Sequence, residues 1–202
     1  MTAVEPFALL DDRAASVERP TSRLYTAFAH ERRCTDAAAL DAFWAEVEAD
    51  QKLGLHALLL IDYEWGAKLL GAGRRPGDEA AALRVLMFRE LRHLSHDDAD
   101  RWLALQDDSP EPRPAGVLDV RASVDRAAFH AAIARIHEAI RAGETYQVNY
   151  TYRLDFAAHG APVSLYRRLR ARQPVPFGAY VALPESGDPN APTHVLSCSP
   201  EL

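Results

Sequence analysis

Lysine is nearly missing from this sequence: of its 23 basic residues only Lys52 and Lys68 are lysines, and the rest are arginines. Arginine keeps its charge and is a poor proton acceptor or nucleophile, whereas burial can tune a lysine for covalent work. Lysine chemistry is therefore confined to the stretch ending at Lys68. Cysteine is almost as scarce. Cys34 and Cys198 are too few for a disulfide framework, neither lies in a CxxC pair that would hold zinc, and both are read as packed thiols. Long apolar runs are absent too: the longest, Ala57 to Ile61 with Leu55 before it, falls far short of the ~20 residues that cross a bilayer. No basic region followed by an apolar segment opens the chain. These absences predict a cytoplasmic protein with no membrane partner. Charge of one sign is not concentrated, since 23 basic against 29 acidic side chains leave −6 without a long run of either. Such a surface offers a phosphate backbone no footprint, so nucleic acid is not an expected partner. GxGxxG, Walker A and GxSxG motifs are missing, as are internal repeats.

What remains is an ordinary globular composition. At roughly 150 residues per domain, 202 residues give one domain and a remainder. With 48% apolar and 26% charged residues, disorder, collagen and coiled coil are excluded. The run DDSPEPRPAG, residues 107–116, carries Pro110, Pro112 and Pro114 and divides the chain into regions 1–106 and 117–202.

Periodicity predicts an α+β protein. Strands are expected over Pro6–Asp12, around Arg23–Arg33, over His56–Tyr63 and over Leu83–Leu91. Thr35 is placed to cap a helix running to about residue 52, with Leu40, Phe43, Trp44 and Val47 as its apolar stripe and Gly54 as its stop. Residues His93, His96, Asp97, Asp98 and Asp100 resemble a metal cluster, but they also suit the polar start of a helix carrying Trp102 and Leu103. We read them as the helix start and assign no metal ligand. Beyond the loop, Ser123 is placed to cap a helix whose stripe is Phe129, Ile133, Ile136 and Ile140, with Gly143 as the stop. Tyr146 to Phe156 then alternates apolar and polar residues, the pattern of a half-packed strand. Ser164 is placed to cap a basic helix to about Gln173, and Phe177–Leu183 pairs with Thr193–Ser199. The polar face of the Tyr146 strand either meets water or lines a ligand cavity. Glu201, after Pro200, is either a solvated turn residue or an acid presented to a pocket.

Two motifs resemble a known family. IRAGETYQVNYTYRL (Ile140–Leu154) and SCSPEL (Ser197–Leu202) are similar to the helix, Gly, Gln-Val-Asn strand and later Ser-Pro-Glu of the chorismate-utilising enzymes. PFALLDD and DYEWGAKL (Asp62–Leu69) resemble the aminodeoxychorismate synthase branch more than the sister anthranilate synthases. The resemblance implies a two-sheet β-sandwich with outer helices, of which these residues form the N-terminal part. It implies replacement of the 4-hydroxyl of chorismate by an amino group in folate (4-aminobenzoate) synthesis. Ammonia would come from a glutamine amidotransferase subunit, and magnesium would hold the substrate carboxylate. Hydroxide leaves poorly, so an acid must protonate it, and Glu201 matches the family's proton donor. The nucleophilic lysine, the magnesium glutamates and the chorismate-binding arginine are expected beyond residue 202. The 202-residue chain alone is therefore expected to turn over no chorismate. A tryptophan-pocket-like site falls by match on Asp12, on Thr21, Ser22, Arg23 and Leu24, and on Pro176, Phe177 and Gly178. Asp12 departs from the serine of anthranilate synthases. The alternatives are an anthranilate synthase component or a non-catalytic module that binds a small molecule or a partner.

The two motifs also imply that the Tyr146 strand and the Ser199 terminus lie side by side.

Overall fold

The computed structural model describes residues 5–71, 81–186 and 192–200. Its centre is an antiparallel sheet in the order β3-β4-β2-β1-β7-β8. These strands are β1 (Phe7–Asp11), β2 (Ser22–Cys34), β3 (His56–Ile61), β4 (Leu83–Leu94), β7 (Phe177–Ala182) and β8 (His194–Ser199). A separate ribbon pairs β5 (Gly116–Ala122) with β6 (Leu154–His159). Five α-helices accompany them among the described residues: α1 (Leu40–Lys52), α2 (Tyr63–Leu69), α3 (His96–Asp107), α4 (Arg126–Arg141) and α5 (Pro162–Arg172). The class is α+β.

Period-2 alternation in β1 decides what each face buries. Phe7 and Leu9 enter a core with Leu24, Leu94, Leu103, Val163 and Tyr166, contributed in part by α3 and α5. Within it Phe7 meets Trp102 and Tyr180 edge-on, with ring centroids 5.0 and 4.9 Å apart. Ala8 faces the other way, into a cluster with Tyr25, Leu58, Leu86, Phe88 and Val181. A third cluster packs Phe43 and Val47 of α1 and Trp65 of α2 onto Cys34, Val85 and Met87. Between the two helix-covered regions β2 carries a register shift at Phe28/His30 and a left-handed Ala27 (φ 55°). Such a bulge bends the strand that carries it, and here it separates Leu24, packed near α3 and α5, from Cys34, packed near α1 and α2.

Helix α1 is also tied to β2 by charge. Asp50, 6% exposed, accepts hydrogen bonds from Arg32 and lies 2.8 Å from His30 Nε2. The Arg32 bonds hold the Asp50 carboxyl down at about 2, against the opposing pull of burial and with His30 assisting. A carboxyl depressed in the fold stabilises it above its unfolded value, near 3.8, and loses that contribution as pH falls towards 2. Urea unfolding followed at descending pH is expected to steepen in that window. Asp50→Asn should flatten it, and an unchanged profile in the variant would contradict the assignment.

Three caps differ from the sequence expectation, two of them because a neighbouring aspartate is better placed. Asp36, not Thr35, accepts from Ala38 N at 3.0 Å and opens a short 3₁₀ turn (Ala37–Ala39) before α1. Asp125, not Ser123, accepts from Ala128 N at 2.7 Å, while Ser123 Oγ is taken by Arg153 N across the ribbon at 3.0 Å. Ser164 lies inside α5, fully buried, and donates to Asp107 Oδ1; Pro162 begins that helix. Ser95 and Asp98 form a capping box for α3, so the acidic run after His96 opens a helix as expected. Tyr63 begins α2 instead of ending β3.

The largest correction concerns Tyr146 to Phe156. Only its last part, from Leu154, is strand, and residues 146–153 run as irregular chain. Alternation fits a strand but cannot supply the neighbouring backbone whose N–H and C=O groups make one. Nor do β6 and β8 pair: β8 pairs with β7 and β6 with β5, so the two motif stretches are not strand neighbours among the described residues. Phe129 of α4 instead meets Tyr150 and Tyr152, with ring centroids 5.8 and 5.9 Å apart.

The ribbon leaves apolar surface open, with Leu118 and Phe156 56% and 51% exposed and Val120 and Leu154 similarly bare. Patches of this kind drive association. Sedimentation of the 202-residue chain is expected to show a mean mass rising with concentration, and Leu118→Lys with Phe156→Lys should suppress the rise. A concentration-independent monomer would refute this.

Candidate functional site

The antiparallel pairing of β1 with both β2 and β7 brings three distant stretches to one place. Asp11 lies opposite Gly178, and Arg13 N donates to Val175 O at 3.1 Å just beyond the ladder. A cavity of about 290 Å³ opens there, lined by Asp12, Thr21, Arg23, Pro176, Phe177 and Gly178. It is at the small end of ligand sites. Six of the eight residues matched to a tryptophan-like pocket therefore share one wall system. Ser22 and Leu24 do not line it. Strand alternation sends them inward, where Ser22 Oγ accepts from Asp12 N at 2.9 Å and Leu24 packs opposite Leu9.

Asp12 closes its own turn. Its Oδ1 accepts from Ala14 N at 2.8 Å, an Asx turn, and Oδ2 accepts from the Thr21 hydroxyl. Each oxygen keeps a lone pair for a donor in the cavity, and Arg23 adds a cation to the same walls. A carboxylate and a guanidinium beside Pro176 and the Phe177 ring can meet a small molecule bearing both charges and an apolar body.

Beneath the cavity lies a group that the sequence reading did not single out. Asp11, 3% exposed, accepts from Tyr166 Oη at 2.9 Å and from Arg170 Nε and Nη2. Arg170 also reaches Asp100 and His96. Burial first, and the Asp11 charge next, push the Tyr166 hydroxyl far above its ordinary range, so it serves as a donor only. Gly178 is required here by space: a Cβ would stand 3.0 Å from Tyr166 Oη and 3.1 Å from Asp11 O. The available signal was an acid at a core-facing position of an apolar strand, matched by the arginines of α5.

Glu201 lies outside the described residues; β8 ends two residues before it at Ser199, opposite Phe177. Among the described residues, one group could gather about a cation: His96, Asp97 and Asp100. It does not suit magnesium. Arg170 donates to His96 Nδ1 at 2.7 Å and bonds Asp100 as well, so a guanidinium occupies the place of the ion, and the set lacks the oxygen-only character magnesium demands.

Residues 5–202 match the chorismate binding enzyme family over nearly the whole chain. The chain belongs to that family. Among its relatives is anthranilate synthase component 1 of Streptomyces coelicolor, 30% identical over 149 residues, which are 72% of this chain and 28% of that protein. Another is the aminodeoxychorismate synthase of Streptomyces pristinaespiralis, 28% identical over 169 residues, 82% of this chain and 22% of that protein. The matches thus cover less than a third of either relative's length. Among its described residues the chain has no helix long and apolar enough to cross a membrane.

Proposed function

We propose that these residues are the N-terminal part of an aminodeoxychorismate synthase component I, the enzyme that aminates chorismate to 4-amino-4-deoxychorismate. The reading brings with it a two-sheet sandwich, a glutamine amidotransferase that supplies ammonia, magnesium held by residues other than those described, and a cytoplasmic setting. In this reading Glu201 protonates the departing 4-hydroxyl, since hydroxide is a poor leaving group and general acid catalysis removes that barrier. Residue 201 would have to be kept protonated near neutral pH by burial or by neighbouring carboxylates. Asp12 carries the choice of branch. The anthranilate synthase resemblance implies serine at this position, whereas here a carboxylate bonds Ala14 N and Thr21 within the cavity.

A second reading, anthranilate synthase component I, is favoured by the 30% identity to the Streptomyces coelicolor protein against 28% to the other relative. Product analysis separates the two. The gene's full reading frame, purified and supplied with chorismate, ammonium and magnesium, is expected to accumulate 4-amino-4-deoxychorismate. Fluorescent anthranilate would assign the second reading, and unreacted chorismate would overturn both. The 202-residue chain by itself should give neither product; ammonia-dependent amination by it would show that the machinery is already present.

A further inference from the structure

A second cavity, of about 340 Å³, is lined by Arg13, His96, Asp100, Arg167, Arg170 and Pro174. Its donors outnumber the acceptors left to meet them. Arg167 uses Nη1 on Asp107 Oδ2 (2.7 Å) and Ser109 O (3.0 Å), and Nη2 on Pro110 O (2.6 Å), which leaves Nε unused among the described residues. Arg170 spends itself on Asp11, Asp100 and His96. The buried carboxylates Asp11 and Asp107 are thus consumed by Arg170 and Arg167 from beneath. Arg13 is exposed, and its guanidinium has no hydrogen-bond or ion-pair partner among the described residues.

His96 is fixed in one tautomer by its neighbours. Arg170 can only donate, so Nδ1 at 2.7 Å must accept, and Nε2 carries the hydrogen towards Asp100 Oδ2 at 3.1 Å. Burial, then the charge of Arg170, hold its pKa below the ordinary value, with Arg13 adding to the repulsion and Asp100 and Asp11 opposing it. The neutral ring therefore adds no charge to balance Arg13. Asp100 is the exposed acid of the cavity, and both its oxygens are engaged, by Arg170 and His96.

We propose that this cavity binds the oxyanion of a small molecule, a carboxylate or a phosphate, held between Arg13 and the unused Nε–H of Arg167. Guanidinium pairs oxyanions through parallel charge-assisted hydrogen bonds, and a concave site screens them less than open surface does. The site is distinct from the Asp12 cavity, and it does not depend on which chorismate reaction the protein serves.

The test is an NMR titration of the 202-residue chain with inorganic phosphate in one arm and succinate in the other. Saturable binding of at least one is expected, and whichever binds identifies the source. An anion beside the imidazole favours its charged form, so the titration midpoint of His96 should move upward on saturation, assigned by its loss in His96→Gln. Arg13→Gln is expected to weaken binding about tenfold or more. Arg141→Gln, on the exposed face of α4, should leave it unchanged. No saturable binding in either arm overturns the proposal. So does a His96 midpoint indifferent to the anion, or an affinity unaltered by Arg13→Gln.

Discussion

Arg170→Met is expected to destabilise the folded chain by about 3–5 kcal/mol, the cost of removing one partner from a buried ion pair. Asp11 is 3% exposed and would keep only the Tyr166 hydroxyl as a side-chain partner. Its remaining charge would lie between β1 and α5 without a counterion, and the Asp100 and His96 contacts would go with it. The measurement is urea unfolding at neutral pH. A loss below about 1 kcal/mol, the range of exposed pairs, would show that Arg170 does not anchor α5. The double variant Asp11→Leu with Arg170→Met should recover part of the loss, because an apolar pair of similar volume removes the unpaired charge. Asp11 also lines the Asp12 cavity, so ligand binding there should weaken in the single variant and return only partly in the double one.

Phe88→Ala is expected to cost about 3–5 kcal/mol, as truncating a buried aromatic ring does. Phe88 is fully buried in β4, with Tyr25 and Phe28 rings each 5.8 Å away. Phe156→Ala, on the open ribbon, should change stability by less than about 1 kcal/mol. Equal losses at the two positions would mean that the ribbon is covered in solution.

That contrast marks how far the sequence could be read. Phe156 sits in a more regular alternation than Phe88, yet Phe88 is buried and Phe156 is 51% exposed. Alternation reports which side chains share a face, and burial depends on what lies opposite. The turn residues were legible because their requirement is local: Gly54 and Gly143 end α1 and α4 with φ of +88° and +76°. The cavity was legible only through the resemblance, since Asp12, Arg23 and Phe177 lie far apart in sequence. Asp11 escaped because an adjacent acid, Asp12, occupied the more exposed position, and its partner Arg170 is 159 residues away.

By itself the sequence determined the α+β class, the helices α1, α3, α4 and α5 with the apolar stripes of α1 and α4, the strands β1 to β4, β7 and β8, and the Pro-rich connection. These follow from periods of 2 and 3.6 and from residues whose backbone preferences act within a few positions. Only the tertiary structure decided that residues 146–153 are not strand, that Ser22 and Leu24 turn away from the cavity while Thr21 and Arg23 line it, and that Asp11 is matched to Arg170. Each of these depends on a partner from a remote part of the chain. Hydrogen-bond ladders and buried charges are satisfied in space, and no local pattern specifies which distant group arrives to satisfy them.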